Sequence, residues 1–213
     1  MTDISLDRRL NAYRSDLANS SLKGQVEADQ FVPAQTYTIS APSSFLRKAP
    51  GEDQQIVTQG LCGEIVDIFE IQNGWAWGQL RRDQYVGYLP VADLHEGEIA
   101  PNLKVIVKHT HIYPEPGIKT LPRQVYNFGA RLDGEEHDET FFKTSANGYI
   151  ISTHLAPLDY LEEDFVAVAE NFIGAPYLWG GKTSFGLDCS ALVQISLQAC
   201  GVEVPRDSDM QEN

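Results

Sequence analysis

From Thr36 to about His95, apolar and polar residues alternate in short runs: QTYTIS, GEIVDIFEI, WAWGQL and QYVGYLP. Turns at Pro50-Gly51, Asn73-Gly74 and Arg82-Asp83 separate most of them. Alternation with a period of two marks a half-buried strand, and Asn-Gly between two such runs marks a hairpin. The pattern predicts a small β-barrel over residues 36–96. GEIAPN reads as a linker. A second group of runs, LKVIVKHTHIYP, RQVYNFGARLD, ETFFKTS and GYIIST, predicts another barrel over 101–156. Residues 1–35 are polar with a short helical pattern, and are expected to form an arm that packs on something else or frays.

After Pro157 the period changes. Leu161, Phe165, Val168 and Phe172 recur at three- and four-residue steps, which predicts a helix over 159–173. Asp159 would cap it, with acids in its first turn, and Gly174 and Pro176 would stop it. A second helix is expected from Asp188 through CSALVQISLQAC to a cap at Gly201. The fold class is therefore mainly β plus α+β. Both helices carry an apolar face that needs a partner. Leu161, Phe165, Leu192 and Ile195 are expected to stay partly exposed or to find cover on the barrels.

Composition narrows the partners. The 213 residues carry 30 acidic and 16 basic side chains, a net charge of −14. That balance argues against nucleic acid or an anionic membrane surface as partner, since both need a basic face. From Pro157 onward ten acids face two bases. Such a segment is either a solvated acidic face or one suited to an amine. Cys62, Cys189 and Cys200 give no disulfide framework. No apolar leader opens the sequence and no apolar run reaches membrane-spanning length, so a cytoplasmic location is expected.

Several chemical signals are decoys. WGGKTS contains Gly-Lys-Thr, but a phosphate-binding loop needs a glycine where Pro176 stands. His109 and His111 alternate on a strand, yet no third metal ligand stands nearby; His137 reads as a solvated turn residue. No metal or cofactor is expected. Cys189 is different. It falls in the first turn of a helix, where free N–H groups favour a thiolate, and follows the glycine-rich loop WGGKTSFG. Asp188 and Ser190 flank it, where a core cysteine would have apolar neighbours. A buried, inert thiol is the competing reading. Cys62 and Cys200 read as packing residues.

These residues carry a resemblance. APYLWGGKTSFGLDCSALVQ resembles the signature of the NlpC/P60 family, papain-like cysteine peptidases of bacterial cell-wall peptides, at Pro176, Tyr177, Trp179, Gly180, Gly181, Gly186, Asp188, Cys189 and Ser190. VPRDSDMQ is similar to a second family segment. VTQGLCGEIVDIFEIQNGWAWGQLRRDQYVGYLP resembles the bacterial SH3-like domain that precedes the catalytic domain in one subgroup, and HTHIYPEPGIKTLP with its following strands resembles a second such barrel. That subgroup comprises γ-D-glutamyl-L-diamino acid endopeptidases acting on muropeptides in peptidoglycan recycling.

The resemblance implies that Cys189 is the nucleophile and that its own N–H and the Tyr177 hydroxyl stabilise an oxyanion. It implies that Asp188, Ser190 and Ser208 hold the free amine of an N-terminal L-alanine. Glu64 and Tyr85, with Tyr88 as the alternative to Tyr85, would close that pocket from the first barrel. Trp179 would be structural. Two departures stand out. Ala191 replaces the family glycine, and no histidine follows Cys189, all five lying between His95 and His154. Residues 157–213 are therefore expected to form a partial peptidase domain with little or no turnover of its own. A non-catalytic module that binds cell-wall peptides is the alternative.

Overall fold

The structure, a computed structural model, describes residues 6–146 and 148–212. One seven-stranded antiparallel sheet is built from β3 (Gln35–Ile39), β4 (Ser43–Arg47), β5 (Ile56–Leu61), β6 (Ile65–Gln72), β7 (Trp75–Leu80), β8 (Val86–Pro90) and β9 (Leu94–Glu96). Its strand order is β5-β4-β8-β7-β6-β3-β9. The alternating residues Ile39, Leu46, Val66, Ile68, Ala76, Leu80 and Leu89 meet inside it as one core. A bulge between Ile68 and Glu70 breaks the alternation, so Phe69 is buried next to Ile68. Adjacent side chains on a regular strand point to opposite faces; here Phe69 packs on Trp77, with ring centroids 5.6 Å apart, outside the main core.

That outer aromatic pair is what the N-terminal segment covers. Ala12 and Leu17 join Phe69 and Trp77 in one buried cluster, and the Arg14 guanidinium lies 4.4 Å over the Trp77 ring. The segment forms no α-helix, and its helical spacing yields only one 3-10 turn, Ser20–Leu22. It forms turns and a short parallel pair, β1 (Leu17–Asn19) with β2 (Gln30–Val32). Polar side chains explain the difference. Asn11 Nδ2 donates to the Asp7 carbonyl, a bond that competes with a helical ladder, and Asn19 Oδ1 accepts from the Ser21 N–H to cap no more than that single 3-10 turn.

The second β unit contains β10 (Leu103–Val105), β11 (His109–Ile112), β12 (Gln124–Asn127), β13 (Arg131–Leu132), β14 (Gly134–Glu136), β15 (Phe141–Thr144), β16 (Gly148–Ile151) and β17 (Leu155–Pro157). They form small antiparallel groups: β13-β10-β17, β11-β12 and β14-β15-β16. Cys62 reaches across from the first barrel into this core beside Val105, Ile112 and Tyr126, and burial pushes its thiol up to about 12. The neighbouring Gly63 has φ +79°, and a Cβ there would stand 2.2 Å from the Arg131 carbonyl oxygen, so only glycine permits this approach.

The C-terminal unit holds α1 (Phe165–Glu170), α2 (Cys189–Ala199), α3 (Ser208–Gln211) and a two-residue hairpin of β18 (Lys182–Thr183) and β19 (Gly186–Leu187). The first helix is six residues rather than the fifteen expected, and its cap is Asp164, which accepts from the Val166 N–H, not Asp159. Upstream, the backbone is held otherwise: the Lys104 ammonium donates to the Tyr160 carbonyl, and the Glu162 N–H to the Ala199 carbonyl at 3.0 Å. Leu161 and Phe165 are consequently 52% and 50% exposed. The rest of the apolar face finds cover. Phe128 from the second β unit packs edge-to-face on Phe172, at 5.9 Å, in a cluster with Val168, Leu187, Ala191 and Ile195. No helix among the described residues is long and apolar enough to cross a membrane.

Candidate active site

Cys189 begins α2 and is exposed. Its placement starts in the glycine loop. Gly180 has φ +76°, and a Cβ there would stand 2.5 Å from Ile56 of the first barrel, so the loop lies tight against β5. Two residues on, the β18–β19 hairpin turns the chain back toward the cysteine, with Lys182 opposite Leu187. Asp188 then caps α2 by accepting from the Ala191 N–H at 2.9 Å.

Asp188 is also the centre of a buried ion pair. Arg206, only 1% exposed, donates to its Oδ1 at 2.9 Å and its Oδ2 at 2.7 Å. The Gly180 N–H and the Ser190 hydroxyl donate to it as well. Burial pushes the Asp188 carboxyl up, but Arg206 and the two backbone N–H groups outweigh this and hold it below its ordinary value. The Nε of Arg206 donates to Thr58 Oγ1 on β5 at 2.8 Å. The helix cap is thereby tied to the first barrel.

A cleft of about 230 Å³ opens at Cys189, walled by Tyr177, Trp179, Tyr85, Asp207 and Ser208. Asp188, Ser190, Arg9, Gln55, Val57 and Asp209 complete its lining. The Tyr85 hydroxyl donates to Asp207 Oδ2 at 2.9 Å, and burial followed by the Asp207 charge pushes its pKa up. Arg9 reaches in from the N-terminal segment and donates to the same oxygen at 2.9 Å and to both oxygens of Asp209. The Arg9 hydrogen bonds hold Asp209 below its ordinary value. Gln211 Nε2 donates to the carbonyls of Ser190 and Pro205, which pins α3 against the start of α2.

The resulting site is an exposed thiol at a helix N-terminus, beside a 66% exposed tyrosine and a set of carboxylates. Residues 174–213, which carry it, match the NlpC/P60 family, and residues 46–94 match the bacterial dipeptidyl-peptidase Sh3 domain. Dipeptidyl-peptidase 6 of Lysinibacillus sphaericus is 36% identical, over 82% of this chain and 73% of that protein. The chain belongs to the NlpC/P60 family. The γ-D-glutamyl-L-lysine dipeptidyl-peptidase of Bacillus cereus is 37% identical over 74% of this chain and 54% of its own length, so the chain spans about half of that relative. The crystal structure of an NlpC/P60 family protein from Bacillus cereus superposes with a TM-score of 0.69 at 18% identity, covering 84% of this chain and 77% of the other. That likeness is one of fold.

Within this NlpC/P60 site, Cys189, Tyr177, Tyr85, Asp188, Ser190 and Ser208 line one cleft. Two expectations need correction. Glu64 does not close the cleft. It is 2% exposed, accepts from the Leu61 N–H at 3.1 Å, and lines a separate cavity. The polar atoms of Asp188 and Ser190 are not free for an amine either. Both Asp188 oxygens are occupied by Arg206 and backbone donors, and the Ser190 hydroxyl lies between Asp188 and Arg206. Tyr88, the alternative to Tyr85, accepts from Arg14 and lies outside the cleft. Trp179, read as structural, is exposed in the cleft wall.

Sequence reasoning missed Arg206, Asp207 and Arg9. The first two sit in VPRDSDMQ, and an arginine inside so acidic a segment was itself a signal of pairing. Nothing in the sequence marked Arg9. Ala191 is fully buried and belongs to the cluster with Phe128 and Val168. No described histidine lines the cleft. His109 Nδ1 lies 3.1 Å from Ser184 Oγ, His154 Nδ1 lies 2.8 Å from Thr110 Oγ1, and His137 packs on Tyr149.

Proposed function

We propose that the cleft at Cys189 is the reaction centre of a cysteine peptidase that hydrolyses the bond between γ-D-glutamate and an L-diamino acid in cell-wall peptides with a free N-terminal L-alanine. One observation carries this reading: an exposed thiol at the start of an eleven-residue helix shares its cleft with Asp207, whose Oδ1 accepts no hydrogen bond among the described residues. The names of the relatives, γ-D-glutamyl-L-lysine dipeptidyl-peptidase and dipeptidyl-peptidase 6, support the substrate class.

Cys189 Sγ attacks the γ-glutamyl carbonyl, and the carbon–nitrogen bond then breaks to release the diamino acid and leave a thioester. Water hydrolyses the thioester. The Cys189 N–H, which as the first helical residue has no intrahelical acceptor, and the Tyr177 hydroxyl donate to the oxyanion. Asp207, aligned by Tyr85 and Arg9, receives the substrate ammonium with its unpaired oxygen. Ser208 adds a hydroxyl. Asp188 acts one step back, orienting the helix start. Peptidoglycan recycling in the cytoplasm belongs to the same proposal, and the three unpaired cysteines are in keeping with a reducing compartment.

The proposal assigns proton transfer to no residue of this chain, because no described histidine lines the cleft. That observation favours the second reading, a module that binds the peptide without cleaving it. Incubation with L-Ala-γ-D-Glu-L-Lys separates the two. Release of L-Ala-γ-D-Glu that is lost in Cys189→Ala supports the peptidase. Binding without release, weakened by Asp207→Asn, supports the module. Tripeptide binding that is indifferent to Asp207→Asn sinks the assignment of the cleft.

A further inference from the structure

The cavity that holds Glu64 has a volume of about 200 Å³ and shares no lining residue with the cleft. It lies where three parts of the molecule meet. Arg82 enters from the first barrel, Lys104 and Arg131 from the second β unit, and Lys182 and Gln198 from the C-terminal unit.

Donors outnumber acceptors there. Among the described residues, the Arg131 guanidinium has no hydrogen-bond or ion-pair partner. Arg82 Nε is buried without a partner, and Arg82 Nη1 approaches Glu64 Oε1 only to 3.4 Å. Lys182 is 2% exposed, and its ammonium has one long contact, 3.5 Å to Asp83 Oδ2. Gln198 is 8% exposed and buries an Nε2 with no partner. Glu64 balances one of these cations, and its other oxygen accepts from the Leu61 N–H. Of the other carboxylates in the lining, Glu162 accepts from the Tyr160 hydroxyl and Glu203 is exposed. Burial and the nearby Arg82 pull both Arg131 and Lys104 below their ordinary values, against the opposing pull of Glu64 and Glu203 on Arg131 and of Glu162 and Asp159 on Lys104. Arg131 is half-buried without a partner, and Arg82 and Lys182 have only long ion pairs with Glu64 and Asp83, so an added anion would find donors with capacity to spare.

We infer that this junction cavity binds a compact oxyanion, a carboxylate or a phosphate, held by Arg82, Arg131, Lys182 and the Gln198 amide. The forked guanidinium groups suit such an ion, and the planar amide adds a neutral donor. The volume falls below the roughly 300–1,000 Å³ of sites for larger ligands, which excludes a nucleotide. Apolar neighbours, Leu61, Val105 and Phe128 among them, leave room for a short hydrocarbon on the acid. A bound ion would bridge the first barrel, the second β unit and the helix that carries Cys189.

Titration of the full chain at constant ionic strength tests this, with inorganic phosphate in one arm and glutarate in the other. Thermal midpoint and calorimetry are the readouts. At ten times its Kd the bound ion raises the midpoint by about 4 °C. Arg131→Met weakens binding about tenfold or more, yet leaves the ligand-free midpoint unchanged or higher, because it removes an unpaired charge. Gln198→Leu weakens binding independently of any charge change. Saturation by phosphate alone assigns a phosphoryl group, and saturation by glutarate alone assigns a carboxylate; both support the site. No saturable response in either arm, or a response that survives both substitutions unchanged, overturns it.

Discussion

The first barrel and the second β unit meet the same C-terminal unit with a different balance of contacts. The first barrel holds it with directed polar contacts: Thr58 to Arg206, Gln59 to the Lys182 N–H, Asp83 to the Lys182 ammonium, and Tyr85 to Asp207. The second shields its helices with an apolar ring, Phe128 against Phe172 and its cluster, and adds polar contacts from Lys104 to the Tyr160 carbonyl, Lys108 to the Ile173 carbonyl and His109 to Ser184. Directed bonds fix the angle and distance of a side chain, whereas an apolar contact fixes mainly an area. The helix cap and the cleft carboxylate are held from the first barrel, the far end of the nucleophile's loop touches His109, and the apolar shielding of its helix comes from Phe128.

Substitutions can break this contrast, and the largest effect is expected at Arg206. Arg206→Met leaves Asp188 buried without its partner, and should lower stability by about 3–5 kcal/mol in urea titration. It should also slow alkylation of Cys189, since the helix cap moves. Arg206→Met with Asp188→Asn should recover part of the stability. Phe128→Ala should cost about 3 kcal/mol through the cavity it opens, but leave Cys189 alkylation unchanged. Equal effects of the two on alkylation would erase the distinction.

Two smaller effects sharpen it. Tyr85→Phe removes one hydrogen bond to Asp207, with a stability loss of about 1 kcal/mol. Its clearer signature should be a narrowed preference for a free over an acetylated N-terminus in peptide binding. The acid side of the stability curve reports Asp188. Its carboxyl is held below the ordinary value of 3.8, so its contribution is complete above that pH and is lost as pH falls through its folded value. Asp188→Asn should flatten stability below about pH 4, measured by urea midpoints. Arg9→Gln is the smallest perturbation. Its ion pairs with Asp7, Asp207 and Asp209 are partly exposed, so the loss should be near 0.5 kcal/mol.

The sequence pattern reached furthest where one period ruled. Ile39, Leu46, Val66 and Leu80 alternate as a barrel demands, and they form its core. The pattern failed where spacing was ambiguous. Leu161 and Phe165 continue a helical spacing, but bonds from Lys104 and to Ala199, both remote in sequence, hold that stretch out of the helix. The thiol was legible because a loop, a cap and a cysteine are neighbours along the chain. Its surroundings were less so. Glu64 and Asp207 are both acids near a motif, and only the fold shows that one faces the cleft and the other a different cavity. Arg9 joins the cleft from about two hundred residues away, a separation of |i−j| = 198 from Asp207, which no local pattern encodes.

The path from Thr58 through Arg206 and Asp188 to the first turn of α2 has a consequence for how such chains can be recombined. A graft of residues 157 onward to another scaffold would carry the thiol but lose the hydroxyl that steadies its cap. What must be copied is the seam, Thr58, Gln59, Asp83 and Tyr85, along with the loop it faces. The unit of inheritance for this chemistry is therefore larger than the peptidase signature, and includes a strand whose own sequence contains nothing catalytic.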